Sequence, residues 1–194
     1  GITGSIASGK TTASQIISRR RGALFSADKV VRNLYKKNSF KKIISKKLGI
    51  DYNLKFKNEL KKKILEKKEN IKKLEKLIHP IVRKEMFIFF KKNKRKRILF
   101  FEVPLLIENK LIKYFNKTIF IKSNRKLRLK RYRLNGGNKK LFSLLDSRQI
   151  KDVKKMTLCD HVVVNNKSLS ILKKKLLIII SKYEWNFFRY RNYR

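Results

Sequence analysis

Gly4-Ser5-Ile6-Ala7-Ser8-Gly9-Lys10-Thr11 decides the fold: two glycines separated by four residues, then a lysine and a hydroxyl residue. Glycines let the backbone curl until successive N–H groups point inward, and a helix beginning near Lys10 adds the positive end of its dipole. A lysine here sets a cation on the β- and γ-phosphates of a nucleotide, and a threonine hydroxyl can ligate Mg²⁺. The stretch therefore reads as a phosphate loop for ATP, with Gly4, Ser5, Ile6, Ala7, Ser8, Gly9, Lys10, Thr11 and Thr12 as nucleotide-binding residues and Thr11 as the metal ligand.

The flanks fit that reading. Gly1-Ile2-Thr3 looks like the tail of a buried strand, and a start at Gly rather than Met suggests that the strand's apolar beginning lies upstream. Thr12 to Arg20 has helical spacing at Ala13, Ile16 and Ile17, Gly22 is expected to cap that helix, and Ala23 to Ser26 follows as a short strand. Strand, phosphate loop, helix, strand is a βαβ unit. Three more apolar runs, Ile98 to Phe101, Thr118 to Ile121 and His161 to Val164, complete five strands of a parallel sheet covered on both faces.

Between the second and third strands the pattern is helical and rich in charge. Leu60, Ile64, Leu65, Ile71, Leu74 and Ile78 mark its buried side, and His79-Pro80 is expected to break it before a helix through Met86 and Phe89. The organisation expected is one domain. Its core spans 1–28, 97–124 and 158–183, with a helical acceptor-binding region at 29–96, a lid at 125–157 and a basic, aromatic tail at 184–194. Leu169 to Ser181 forms the closing helix.

Composition narrows the class. The 194 residues carry 54 Lys and Arg against 13 Asp and Glu, a net charge of +41. Lysines run through 61–63, 67–68, 91–96 and 173–175, on nearly every helical stretch, instead of concentrating in one groove as a nucleic-acid reader requires. Binding of nucleic acid is thus expected only as incidental polyanion attraction. A single Cys159 excludes a disulfide framework, and no apolar run approaches the roughly 18 residues of a membrane span. A monomeric, cytoplasmic protein is expected.

Four features carry chemistry beyond the loop. Asp28 follows the second strand at its carboxyl end, where ligands bind in open α/β sheets; it can be a general base or the cap of a helix starting at Lys29. Glu102 ends the third strand, either as a carboxylate organising Mg²⁺ or as an ordinary strand end. His79-Pro80 is a weak signal alone. Arg125, Arg128, Arg131 and Arg133 lead into Asn135-Gly136-Gly137, as in a lid that closes arginine onto phosphate, or as a solvated helix face.

In this order the pieces resemble the dephospho-CoA kinase family from Gly1 to about Leu177. Gly1-Ile2-Thr3-Gly4 matches its opening, Ser26-Ala27-Asp28 its Asp-Ala-Asp, and Ile78-His79-Pro80-Ile81-Val82-Arg83 its His-Pro segment. Val103-Pro104-Leu105-Leu106-Ile107-Glu108 matches its most telling stretch, followed by Gln149, Lys155 and Cys159-Asp160-His161-Val162-Val163-Val164-Asn165. The resemblance implies a P-loop kinase core with a five-stranded parallel sheet, a helical substrate-binding part and a lid. It implies phosphorylation of the ribose 3′-hydroxyl of dephospho-CoA by ATP, the last step of CoA biosynthesis. By position, Asp28 would be the base, Lys10, Arg128 and Arg131 (or Arg133) would act on phosphate, and His79, Arg83, Pro104, Leu105 and Leu106 would border the acceptor. Ser26 stands where the family has Asp, and Ser5 and Ala7 where its loop has glycine, so a positive φ at either would carry strain. The alternatives are another small-molecule kinase on this core, or a nucleic-acid-binding ATPase.

Overall fold

A computed structural model of the chain describes residues 1–53 and 55–191, with backbone alone at 68 and 185–191. Five strands form one parallel sheet: β1 (Ile2–Gly4), β2 (Ala23–Ser26), β3 (Leu99–Glu102), β4 (Ile119–Lys122) and β5 (His161–Val164), in the order β2-β3-β1-β4-β5. These runs are short and apolar, with β2 and β5 at the edges of the sheet, and β1 at the centre is buried throughout. Ser26 pairs in register with Glu102, and Gly4 with Ile121. The carboxyl ends of β1, β2 and β3 thus meet along one edge, which is where such sheets bind ligands.

Helix α1 (Lys10–Ser18) leaves the phosphate loop and packs beside α9 (Leu169–Arg191) on one sheet face. Ile2, Ala13, Ile17, Ile121, Val163, Leu172 and Leu176 form the core between them. The helix starts two residues before the expected Thr12, because the loop itself aims Lys10 into the first turn. It also ends early. Arg20 adopts the left-handed φ of 61°, and Gly22 serves another purpose: a side chain there would lie 2.1 Å from the Ile98 carbonyl.

The helical region resolves into α2 (Ala27–Leu34), α3 (Asn38–Leu48), α4 (Phe56–Glu66) and α5 (Lys68–Asn93). Leu34, Phe40, Ile44, Leu48, Phe56, Leu60 and Leu74 close a core of their own. Leu65, expected on the buried side, is 37 % exposed. His79-Pro80 does not break the chain: α5 runs 26 residues straight through Pro80. A proline inside a helix loses one backbone bond and crowds the preceding turn. Here the helix is clamped on both sides of it. Leu74, Leu77 and Ile78 pack into the helical core, while Val82, Met86 and Phe89 pack against Phe25 and Phe101 of the sheet.

Beyond β4 come α6 (Arg125–Leu134), α7 (Lys139–Ser147) and α8 (Asp152–Leu158), the expected lid. The closing helix α9 continues ten residues past Ser181, since no Gly or Pro interrupts it, and Glu184 ties it back to Arg21 at 3.0 Å. The side chains of the tail from 185 onward, and the whole of 192–194, lie outside the described residues.

Candidate active site

The loop closes as its motif requires at Gly9. That residue has φ 94°, and a side chain on it would lie 2.3 Å from the Asn165 amide, so both conformation and space demand glycine. Gly4 is extended, but a Cβ there would meet the Ile121 carbonyl at 2.5 Å. Of the two replaced glycines, only Ala7 carries strain. Its φ is 57°, while Ser5 keeps an ordinary backbone and donates its hydroxyl to Asp152 of α8.

Lys10 is buried, and its Nζ donates to the Ser5 carbonyl across the loop at 3.0 Å. Burial lowers its pKa; Asp28 and Glu102 act to raise it, and Lys155 and Arg128 to lower it. Glu102 is fully buried, which removes the exposed-strand-end alternative. It accepts the Thr11 hydroxyl at 2.5 Å and the Ser14 hydroxyl at 3.4 Å, and it forms no ion pair with Lys or Arg among the described residues. A buried carboxylate served only by hydroxyls, behind the loop threonine, is an oxygen donor set of the kind Mg²⁺ takes while keeping several of its waters.

Asp28 is not a helix cap. Ser26 holds that position, its hydroxyl accepting the Lys29 amide at 3.3 Å, which leaves the Asp28 carboxylate free in the first turn of α2. Ser26, in place of the family's Asp, thus gives up a carboxylate while still supplying a capping oxygen. Asp28 faces the cleft and is reached by solvent, yet protein crowds it. Burial raises its pKa, Lys10 lowers it, Glu102 raises it again and Arg32 lowers it.

A cleft of about 490 Å³ joins these groups. Gly9, Lys10, Thr11, Thr12 and Asp28 line it, together with Arg131, Tyr132, Asn165, Lys167 and Leu169. Arg131 reaches it from α6, with Nη1 3.4 Å from the Ser8 carbonyl and Nη2 3.2 Å from the Asn165 carbonyl. Arg133, the alternative to Arg131, turns away into a surface groove with Lys126 and Lys130. Arg128 is buried and does not line the cleft. It is tethered to Asp146 at 2.6 Å and to the carbonyls of Ser123 and Ile6, so it fixes α6 against α7 and the phosphate loop.

A sequence model of the dephospho-CoA kinase family matches residues 1–170. The chain belongs to the dephospho-CoA kinase family. It is 30% identical over 189 residues to the dephospho-CoA kinase of Fusobacterium nucleatum, covering 91% of this chain and 93% of that protein. It is also 30% identical over 186 residues to the dephospho-CoA kinase of Bartonella henselae, covering 93% and 95%. Among solved structures, a dephospho-CoA kinase from Campylobacter jejuni superposes with a TM-score of 0.60 at 25% identity, covering 94% of each chain. A shikimate kinase from Acinetobacter baumannii shares the fold, with a TM-score of 0.52 over 93% of this chain and 92% of that one, at 14% identity.

The family's acceptor-side positions are spread more widely than its loop. His79, Arg83, Pro104 and Leu105 do not line the cleft. Glu75, His79 and Arg83 form one stripe of α5, where Glu75 pairs with Arg148 at 2.7 Å, and burial lowers the His79 pKa so that the ring is neutral near pH 7. The Pro104 carbonyl accepts the Thr3 hydroxyl at 3.0 Å. Leu106 is fully buried beside Phe101 and Val103, so it shapes the turn from inside and offers a ligand no surface. Asp146 and Asp152 escaped the sequence reading. They are the only two acids in 125–157 of so basic a chain, and both serve the loop or its arginines.

Proposed function

We propose that the chain transfers the γ-phosphoryl group of ATP to the ribose 3′-hydroxyl of dephospho-CoA, giving CoA and ADP. The observation that carries this is the joining of Lys10, Thr11, Arg131 and Asp28 in one cleft. Loop amides and Lys10 bind the β- and γ-phosphates, and Arg131 adds charge where the transferring group becomes most anionic. Asp28 accepts the acceptor hydroxyl's proton as the new P–O bond forms and the bond to the β-phosphate oxygen breaks. Thr11, with Glu102 behind it, would hold Mg²⁺, which when bound neutralises developing phosphate charge. His79, Arg83, Pro104 and Leu105 would orient the acceptor, with Leu106 holding the turn in place.

ATP, Mg²⁺, a monomeric state and a cytoplasmic location belong to this same reading. No helix among the described residues is long and apolar enough to cross a membrane. The test is ADP release with dephospho-CoA, set against adenosine, nucleoside monophosphates and shikimate. Turnover confined to dephospho-CoA is expected. An active enzyme that leaves dephospho-CoA untouched and phosphorylates another acceptor overturns the assignment.

A further inference from the structure

The segment joining α7 to α8, with the first turn of α8, contacts α5, the phosphate loop and the turn that ends at Glu108. Arg148 pairs with Glu75 of α5 at 2.7 Å. The Gln149 side-chain carbonyl accepts the Ile6 amide of the phosphate loop at 3.3 Å and the Lys155 ammonium at 3.3 Å. The Ile150 amide donates to Glu108 at 3.1 Å, and Asp152 accepts the Ser5 hydroxyl. Lys155 itself is fully buried and pairs with Glu108 at 2.7 Å. The other oxygen of Glu108 has no hydrogen-bond partner among the described residues.

Two consequences follow from the geometry. Ile6 has its N–H held by Gln149 and its C=O approached by the Arg128 guanidinium at 3.4 Å, so the peptide planes on both sides of it are fixed. The next residue is Ala7, the one strained position of the loop. Strain of this kind persists only where the surroundings over-determine it. The same chain of contacts runs the other way, from Lys155 through Glu108 into the Val103–Glu108 turn.

We propose that Gln149 and Lys155 are positioning residues of the phosphate loop. Lys155, anchored on Glu108, holds the Gln149 carbonyl, and Gln149 holds the Ile6 peptide so that the loop amides face the nucleotide. The inference rests on the loop's binding ATP and not on which acceptor is used. Gln149→Leu cuts the link to Ile6 and leaves the Lys155–Glu108 pair in place. It is expected to weaken binding of a fluorescent ATP analogue about tenfold and to raise KM for ATP similarly, with Tm little changed. Lys155→Met leaves a buried carboxylate unpaired and is expected to lower Tm as well. Removing both charges, in Glu108→Gln with Lys155→Met, is expected to restore most of the Tm while ATP affinity stays low, and Lys155→Arg is expected to keep ATP affinity within about threefold. Wild-type affinity in Gln149→Leu overturns the proposal, as does affinity that returns together with Tm in the double variant. Because analogue binding needs no acceptor, a wrong acceptor assignment leaves this readout intact.

Discussion

Asp28 and Lys10 line the same cleft, and each shifts the other's titration against the effect of burial. Burial pushes the Asp28 carboxyl upward, so its carboxylate is a better proton acceptor than that of an ordinary aspartate. With Asp28 as the proposed base, activity requires its carboxylate, and the acid limb of kcat/KM is expected above the ordinary value of about 4, falling as pH drops through it. Asp28→Asn is expected to lower kcat by about 10²–10⁴, the usual range for loss of a general base. Because the ionised form is disfavoured in the folded state, the same change is expected to raise Tm slightly near pH 7. A kcat unchanged in Asp28→Asn removes the base assignment. Ala7 offers the complementary case. A non-glycine residue at φ 57° costs about 1–2 kcal/mol, partly offset because glycine loses more freedom on folding. Ala7→Gly is expected to stabilise the protein by about 0.5–1 kcal/mol, read as a shift in urea midpoint at constant slope. A loss of stability would mean that the loop is held by its Cβ contacts and not against them.

At the scale of elements, what the chain makes legible divides by mechanism. The five strands stand out because continuous apolar runs bounded by charge leave no other solution, and the loop stands out because glycine, lysine and threonine have fixed jobs there. Helix boundaries are harder to read. Pro80 is a local breaker whose effect is overruled by packing on either side, and neither core contact is visible from spacing alone. The site's braces are harder still, since Asp152 meets Ser5 across 147 residues. Pro80 also makes a test. It is exposed, so Pro80→Ala restores a backbone bond without opening a cavity, and about 1–2 kcal/mol of stabilisation is expected after the unfolded chain's gain in freedom is counted. Asp160 links two strand starts. Its carboxylate accepts the Thr118 amide and hydroxyl and pairs with Lys117. Partial burial acts against ionisation, but these bonds prevail and hold its pKa at about 2. A depressed carboxylate contributes stability above its unfolded value near 3.9, and that contribution is lost as pH falls from there toward 2. Wild type is therefore expected to melt above Asp160→Asn by a constant margin from pH 5 to 8, and the margin is expected to close below about pH 4.

For the whole molecule the governing quantity is +41. With 54 cations against 13 acids, few of the cations can pair, and the acids present are drawn to places where a charge is needed: Glu102 behind Thr11, Glu108 on Lys155, Asp146 on Arg128. The remaining lysines repel one another across solvated helix faces, which destabilises the compact state. Screening relieves that repulsion, since the Debye length shrinks from about 30 Å at 0.01 M salt to about 8 Å at 0.15 M. Tm is thus expected to rise with added NaCl, by roughly 2–4 °C for each kcal/mol of repulsion removed in a chain of this size. The same salt is expected to weaken binding to RNA or DNA steeply, because that binding is driven by counterion release. Catalysis supplies the third axis. If the charge is solvation and nothing more, nucleic acid at low salt binds and raises Tm yet leaves turnover of dephospho-CoA unchanged. A rise in ATP turnover on adding RNA or DNA, lost again at high salt, would instead make the basic surface part of the enzyme's function.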